Sequence, residues 1–154
     1  MTSVSYEREL ERSGNIIFTV NGVSMRPLFR AKTDAILVKK CSTDDLKNLD
    51  IVLFKRLGQD GEQYVLHRIV DKTSEGLYII AGDNCVSADI VKPIDIFGVV
   101  VSAQRDGKPI KLDGFWYYLY LKTWCEPYKF RFKRLKFRWF IRRIVSKLLF
   151  FWKK

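Results

Sequence analysis

The chain has a single histidine, His67, among its 154 residues, and three cysteines, Cys41, Cys85 and Cys125. One imidazole and no Cys-x-x-Cys pair exclude the common zinc arrangements and the dithiol redox motifs, so neither a metal nor a cofactor is expected. An odd number of cysteines at long spacing does not read as a disulfide framework. Three free thiols in a reducing compartment are expected instead, with Cys85 the one whose neighbours make reactivity worth following. Long apolar runs are missing too: nothing approaches the ~20 residues of a membrane span. The opening "MTSVSYERELERSG" lacks the apolar core of an export signal. The chain is therefore expected to stay in the cytosol, peripheral on the cytosolic face of the membrane. Internal repeats and low-complexity linkers are also absent.

Acidic residues are nearly missing from one region. Residues 115–154 hold 12 Lys/Arg and one acid, Glu126, whereas residues 1–114 hold 16 of each sign. The whole net charge of +11 thus sits in the last 40 residues. That asymmetry divides the chain into a neutral body, 1–114, and a basic aromatic helical tail, 115–154, with a partner of its own.

In the body, "YERELER" reads as a short helix, capped by Ser5 and ended by Gly14. Short β-rich runs follow: "NIIFTV", "DAILVKK", "IVLFKR", "YVLHRIV", "LYIIAG", and a last hairpin, "IFGVVVSAQ" and "KPIKLD", around "RDG". "STDDLKNLD" reads as a turn or short helical loop and "DNCVSADIVKP" as a loop. Turn signals between six or seven such runs predict a mainly β, antiparallel domain.

The tail changes period. Phe137, Phe140, Ile141, Ile144, Val145, Leu148, Phe151 and Trp152 recur at helical spacing, with Arg138, Arg142, Arg143 and Lys147 off that stripe. A basic amphipathic helix with aromatic anchors is expected to lie on an anionic bilayer, through Trp139, Phe140, Arg142, Arg143, Lys147 and Trp152. The alternative is that the stripe packs on the β domain or on another copy. Nucleic acid is disfavoured, because no recognition fold is evident in the neutral body.

Ser24 lies in the turn "NGVSMRP", between two apolar runs. A turn serine ordinarily satisfies nearby backbone, and a nucleophilic one needs a base and oxyanion donors. His67, in "VLHRIV", is either a structural histidine or that base. Asp83 and Asp89, in "AGDNCVSAD", are either turn caps or the group that orients it. The ordered set "TVNGVSMRPLF", "LKNLDIVLFKR", "VLHRIV", "AGDN" and "IFGVVV", spanning about Gly14 to Asp113, resembles the signal peptidase and LexA-type clan of serine proteases. Within it, the chain looks most like the histidine-base branch of endoplasmic-reticulum and archaeal signal peptidases and their short bacterial relatives.

The resemblance implies a signal peptidase/LexA-like β fold. It implies Ser24 as nucleophile, His67 as general base, and Asp89, ahead of Asp83, as the orienting acid. Gly22, Val23, Met25 and Pro27 would shape the substrate-binding turn. The substrate would be an extended peptide or protein with a leader segment and small residues before the cut. Three features depart from the pattern. Gly22 stands where signal peptidases carry an oxyanion-binding serine, so backbone N–H groups at Ser24 are expected to serve. Leu49-Asp50 replaces the usual Gly-Asp, and no N-terminal anchor is evident. Two other readings stay open: LexA-like self-cleavage, with "RSGNI" a faint candidate site, and a catalytically silent peptide-binding membrane adaptor.

Overall fold

A computed structural model describes residues 6–58 and 61–152, with side chains up to residue 147. The Ser5 cap, the tip of the turn at 59–60 and the side chains of Leu148, Phe151 and Trp152 lie outside the described residues.

Helix α1 (Tyr6–Ser13) leads into eight strands: β1 (Asn15–Thr19), β2 (Asp34–Lys40), β3 (Ile51–Gly58), β4 (Gly61–Lys72), β5 (Tyr78–Ala81), β6 (Asp89–Val91), β7 (Ile96–Arg105) and β8 (Lys108–Ile110). They form one antiparallel sheet in the order β1-β2-β7-β3-β4-β5-β6, with β8 on β7. Then come α2 (Gly114–Tyr120), a single π-helical turn at Leu121–Cys125, and α3 (Tyr128–Trp152). The fold is thus mainly antiparallel β with a C-terminal helix.

Side chains alternate across a strand, and β3 shows the result. Ile51 and Leu53 enter one core with Leu10, Met25, Phe29, Ile36 and Val38. Val52 and Phe54 enter another with Ile69, Tyr78, Ile80 and Val91. Because β3 and β4 pair in the register Val52↔His67, the histidine strand is tied to the centre of the sheet. Met25 and Phe29, buried in the first core, fix the turn that carries Ser24.

One expectation needs correction. The stretch read as a loop after β5 contains strand β6, with Asp89 opposite Ile80. Three residues opening on an aspartate carry little β signal, and pairing with β5 decides the conformation.

Helix α3 has two distinct faces. Arg131 and Leu135 are buried, and the row they begin continues at 138 and 142 with the same three- and four-residue spacing. The predicted stripe lies elsewhere on the helix: Phe137, Phe140, Ile141, Ile144 and Val145 are 39–65% exposed. The β sheet therefore does not cover it. Among the described residues, no helix is long and apolar enough to cross a membrane.

Candidate active site

The Ser24 turn, β4 and the loop between β5 and β6 enclose a cavity of about 430 Å³, within the size range of ligand pockets. Ser24, His67, Cys85 and Asp89 all line it, together with Gly22, Met25 and Arg56. Three of these groups approach one point. A Cβ placed on Gly82 would stand 2.7 Å from the Ser24 carbonyl oxygen, 2.7 Å from Cys85 Sγ and 2.9 Å from His67 Nε2. Only glycine fits where the serine turn and the imidazole come together.

The loop is latched to the turn by its own backbone. The Asn84 N–H donates to the Ser24 carbonyl at 2.7 Å, and the Asn84 side-chain amide donates to the Val23 carbonyl at 3.2 Å. Among the described residues, neither the Ser24 N–H nor the Met25 N–H donates to a protein acceptor, which leaves both available to an incoming oxyanion. A Cβ at Gly22 would lie 3.8 Å from Ser24 Oγ and 4.0 Å from Ser24 N. A side chain at position 22 would therefore border both the nucleophile and the donor. Val23 and Pro27 are exposed beside the turn, and the Arg26–Pro27 peptide is cis.

His67 is 4% exposed. Its Nδ1 lies 3.7 Å from Asp89 Oδ2, an ion-pair contact too long for a hydrogen bond, and has no hydrogen-bond partner. Its Nε2 faces Cys85 Sγ at 3.9 Å. Ser24 Oγ makes no hydrogen bond among the described residues. Burial pushes His67 toward its neutral form, but Asp89 and Cys85 outweigh that and raise its pKa above 6.5. Asp89 in turn is held below the usual carboxylate range, first by His67 and, against the opposing effect of burial, by Arg56. Arg56 Nη1 donates to both Asp89 oxygens, at 2.9 and 2.8 Å.

The two aspartates part company. Asp89 meets the imidazole, and Asp83 does not. Asp83 is fully buried with Arg68, whose Nε and Nη2 donate to its two oxygens at 2.9 and 2.8 Å. Tyr120 Oη donates to Asp83 Oδ2 at 2.7 Å, and Trp124 Nε1 donates to the Asp83 carbonyl at 2.9 Å. Burial, then Asp83, pushes the Tyr120 phenol far above its ordinary pKa, so it stays a donor. Arg131 reaches the Gly82 carbonyl at 3.3 Å and the Trp124 carbonyl at 3.1 Å. The start of the basic segment is thus fastened to the loop that carries Gly82 and Asp83.

Sequence reasoning missed Arg56, Arg68, Tyr120, Trp124 and Arg131. Arg68 had one signal, a charge set next to His67 within an otherwise apolar strand. Of the side chains assigned to a membrane, Phe140, Arg143 and Lys147 are exposed, and Trp139 and Arg142 border a second cavity. Among the described residues, no group of three or more His, Cys, Asp or Glu side chains could hold a metal ion. Cys41 and Cys125 are held as thiols, pushed up to about 11 and about 12, chiefly by burial. No family model, curated protein or solved structure matches the chain.

Proposed function

We propose that the protein is a serine endopeptidase of the signal peptidase/LexA-like type that cleaves leader-type peptides, with Ser24 as nucleophile, His67 as base and Asp89 orienting the base. The observation that carries this reading is the convergence of the Ser24 turn and His67 Nε2 at Gly82, with Asp89 on the other ring nitrogen. His67 takes the Ser24 proton as Oγ attacks the peptide carbonyl. The Ser24 and Met25 N–H groups hold the oxyanion, and His67 returns the proton to the departing amine. Water then hydrolyses the acyl-enzyme. The first step requires the Ser24 hydroxyl to come within hydrogen-bond reach of Nε2.

The substrate enters extended. Among the described residues β1 is an edge strand with β2 as its one strand neighbour, and its end, Phe18 and Thr19, borders the cavity. A peptide strand can add to such an edge while its side chains enter the cavity. Wild type is expected to cleave a leader-bearing substrate and Ser24→Ala to leave it whole. Equal cleavage by the two proteins removes Ser24 from the mechanism.

The exposed stripe of α3 supports the second part of the reading, a peripheral seat on an anionic membrane. Its aromatic residues stand beside Arg143 and Lys147, which add electrostatic attraction to apolar insertion. Phe137→Ser/Phe140→Ser/Ile144→Ser is expected to abolish flotation with phosphatidylglycerol vesicles without altering the unfolding midpoint. Undiminished flotation contradicts the membrane reading, and dissociation of a dimer in its place assigns the stripe to a second copy.

A further inference from the structure

A second cavity, of about 520 Å³, also touches the Ser24 turn. It is lined by Arg26 from that turn, Asn84 from the latching loop, Trp124, and Arg138, Trp139 and Arg142 from α3. The two cavities are bordered by consecutive residues of the same segments. Met25 and Cys85 line the first, and Arg26 and Asn84 line the second. The Ser24 turn and the latching loop each therefore border both cavities, so a peptide held across the turn would have the second cavity beside it.

Three arginines line this space, and no aspartate or glutamate does. None of the three has an ion-pair partner among the described residues, whereas Arg12, Arg56, Arg68 and Arg105 each pair with an acid. Arg138 and Arg142 stand here because they continue the row of Arg131 and Leu135, the face of α3 turned to the body. Where that row runs past the buried region, it changes from leucine to arginine. Like charges gathered around one cavity repel until an anion enters, and the guanidinium fork suits carboxylates. Trp124 and Trp139 supply aromatic walls for the stem of an acidic side chain.

We infer that this cavity is a specificity site that binds an acidic stretch of the peptide substrate, a few residues to one side of the scissile bond. The inference rests on the peptidase reading for its placement, and it names a substrate class: leader-type peptides with aspartate or glutamate beside the cut. The exposed stripe residues Phe137, Phe140, Ile141, Ile144 and Val145 do not line this cavity.

The test uses full-length Ser24→Ala, whose binding can be read without turnover from the emission of the cavity tryptophans. Two short peptides are titrated, one with a run of glutamates flanking an extended apolar stretch, the other with glutamines in their place. The glutamate peptide is expected to bind about tenfold tighter, and the preference to vanish in about 0.5 M salt. It is also expected to vanish in Arg26→Gln/Arg138→Gln/Arg142→Gln. All three positions are exposed, so the fold should persist, which an unchanged urea midpoint verifies. Equal binding of the two peptides overturns the inference, as does a preference that survives the triple replacement. So does a cavity that responds to inorganic phosphate or phosphatidylglycerol vesicles but not to the glutamate peptide. A glutamate preference in binding without cleavage by wild type refutes the peptidase reading and leaves the anion site standing. Cleavage indifferent to glutamate does the reverse.

Discussion

Asp83→Asn is expected to lower stability by about 3–5 kcal/mol, the usual loss when one member of a buried ion pair is removed. The side chains of Arg68 and Asp83 are both 0% exposed, and the guanidinium is gripped by two carboxylate oxygens. Asparagine keeps the shape and one acceptor but leaves the Arg68 charge without its counterion in a dry site. It also faces Tyr120 Oη, and it weakens the loop to which Trp124 and Arg131 attach. Urea unfolding should show a lower midpoint with an unchanged slope. A shift of less than about 1 kcal/mol would mean that Arg68 finds another partner or solvent, against the geometry of the site.

Asp89→Asn should behave in the opposite way. Its pair with Arg56 is partly exposed, so its contribution to stability is discounted to about 1 kcal/mol or less. Turnover, by contrast, should fall by up to ~10⁴, as when the orienting acid of such a triad is neutralised. The pH profile gives an independent readout. His67 works as a base only when neutral, and its pKa lies above 6.5, so the acid limb of wild-type kcat/KM should have its midpoint above 6.5. Asparagine removes the main group opposing burial, so that midpoint should move down. The linked stability runs the other way. The stabilisation from raising the His67 pKa is fully present below 6.5 and is lost as pH rises through the folded value. An unmoved acid limb in Asp89→Asn would reassign Asp89 to Arg56 alone.

These two aspartates also show what the chain discloses before it folds. Both sit in one polar loop of similar composition, and only the fold separates them. The segment carrying Asp89 becomes β6 by pairing with β5, while Asp83 points to a guanidinium on β4 and a phenol 37 residues further along. The β3–β4 and β7–β8 hairpins were legible, because apolar runs and turn residues are local signals. The Asp83 hub was not, since it joins Arg68, Tyr120 and Trp124 across long separations, and no periodicity marks such a meeting. In α3, the stripe from Phe137 to Val145 was visible as a helical repeat. The buried row through Arg131 and Leu135 was hidden, because an arginine at a core position reads as surface. The segment 117–131 therefore belongs physically to the support of the site, although its charge and aromatic content set it apart from the β body.

The most direct measurement is covalent labelling of the intact chain by a fluorophosphonate, with the modified residue located by mass spectrometry. A serine made nucleophilic by His67 should take up the label at Ser24, lose it in Ser24→Ala and take it up far more slowly in His67→Ala. No label on the wild type, or a label on Ser24 that forms as fast without the imidazole, would contradict the account.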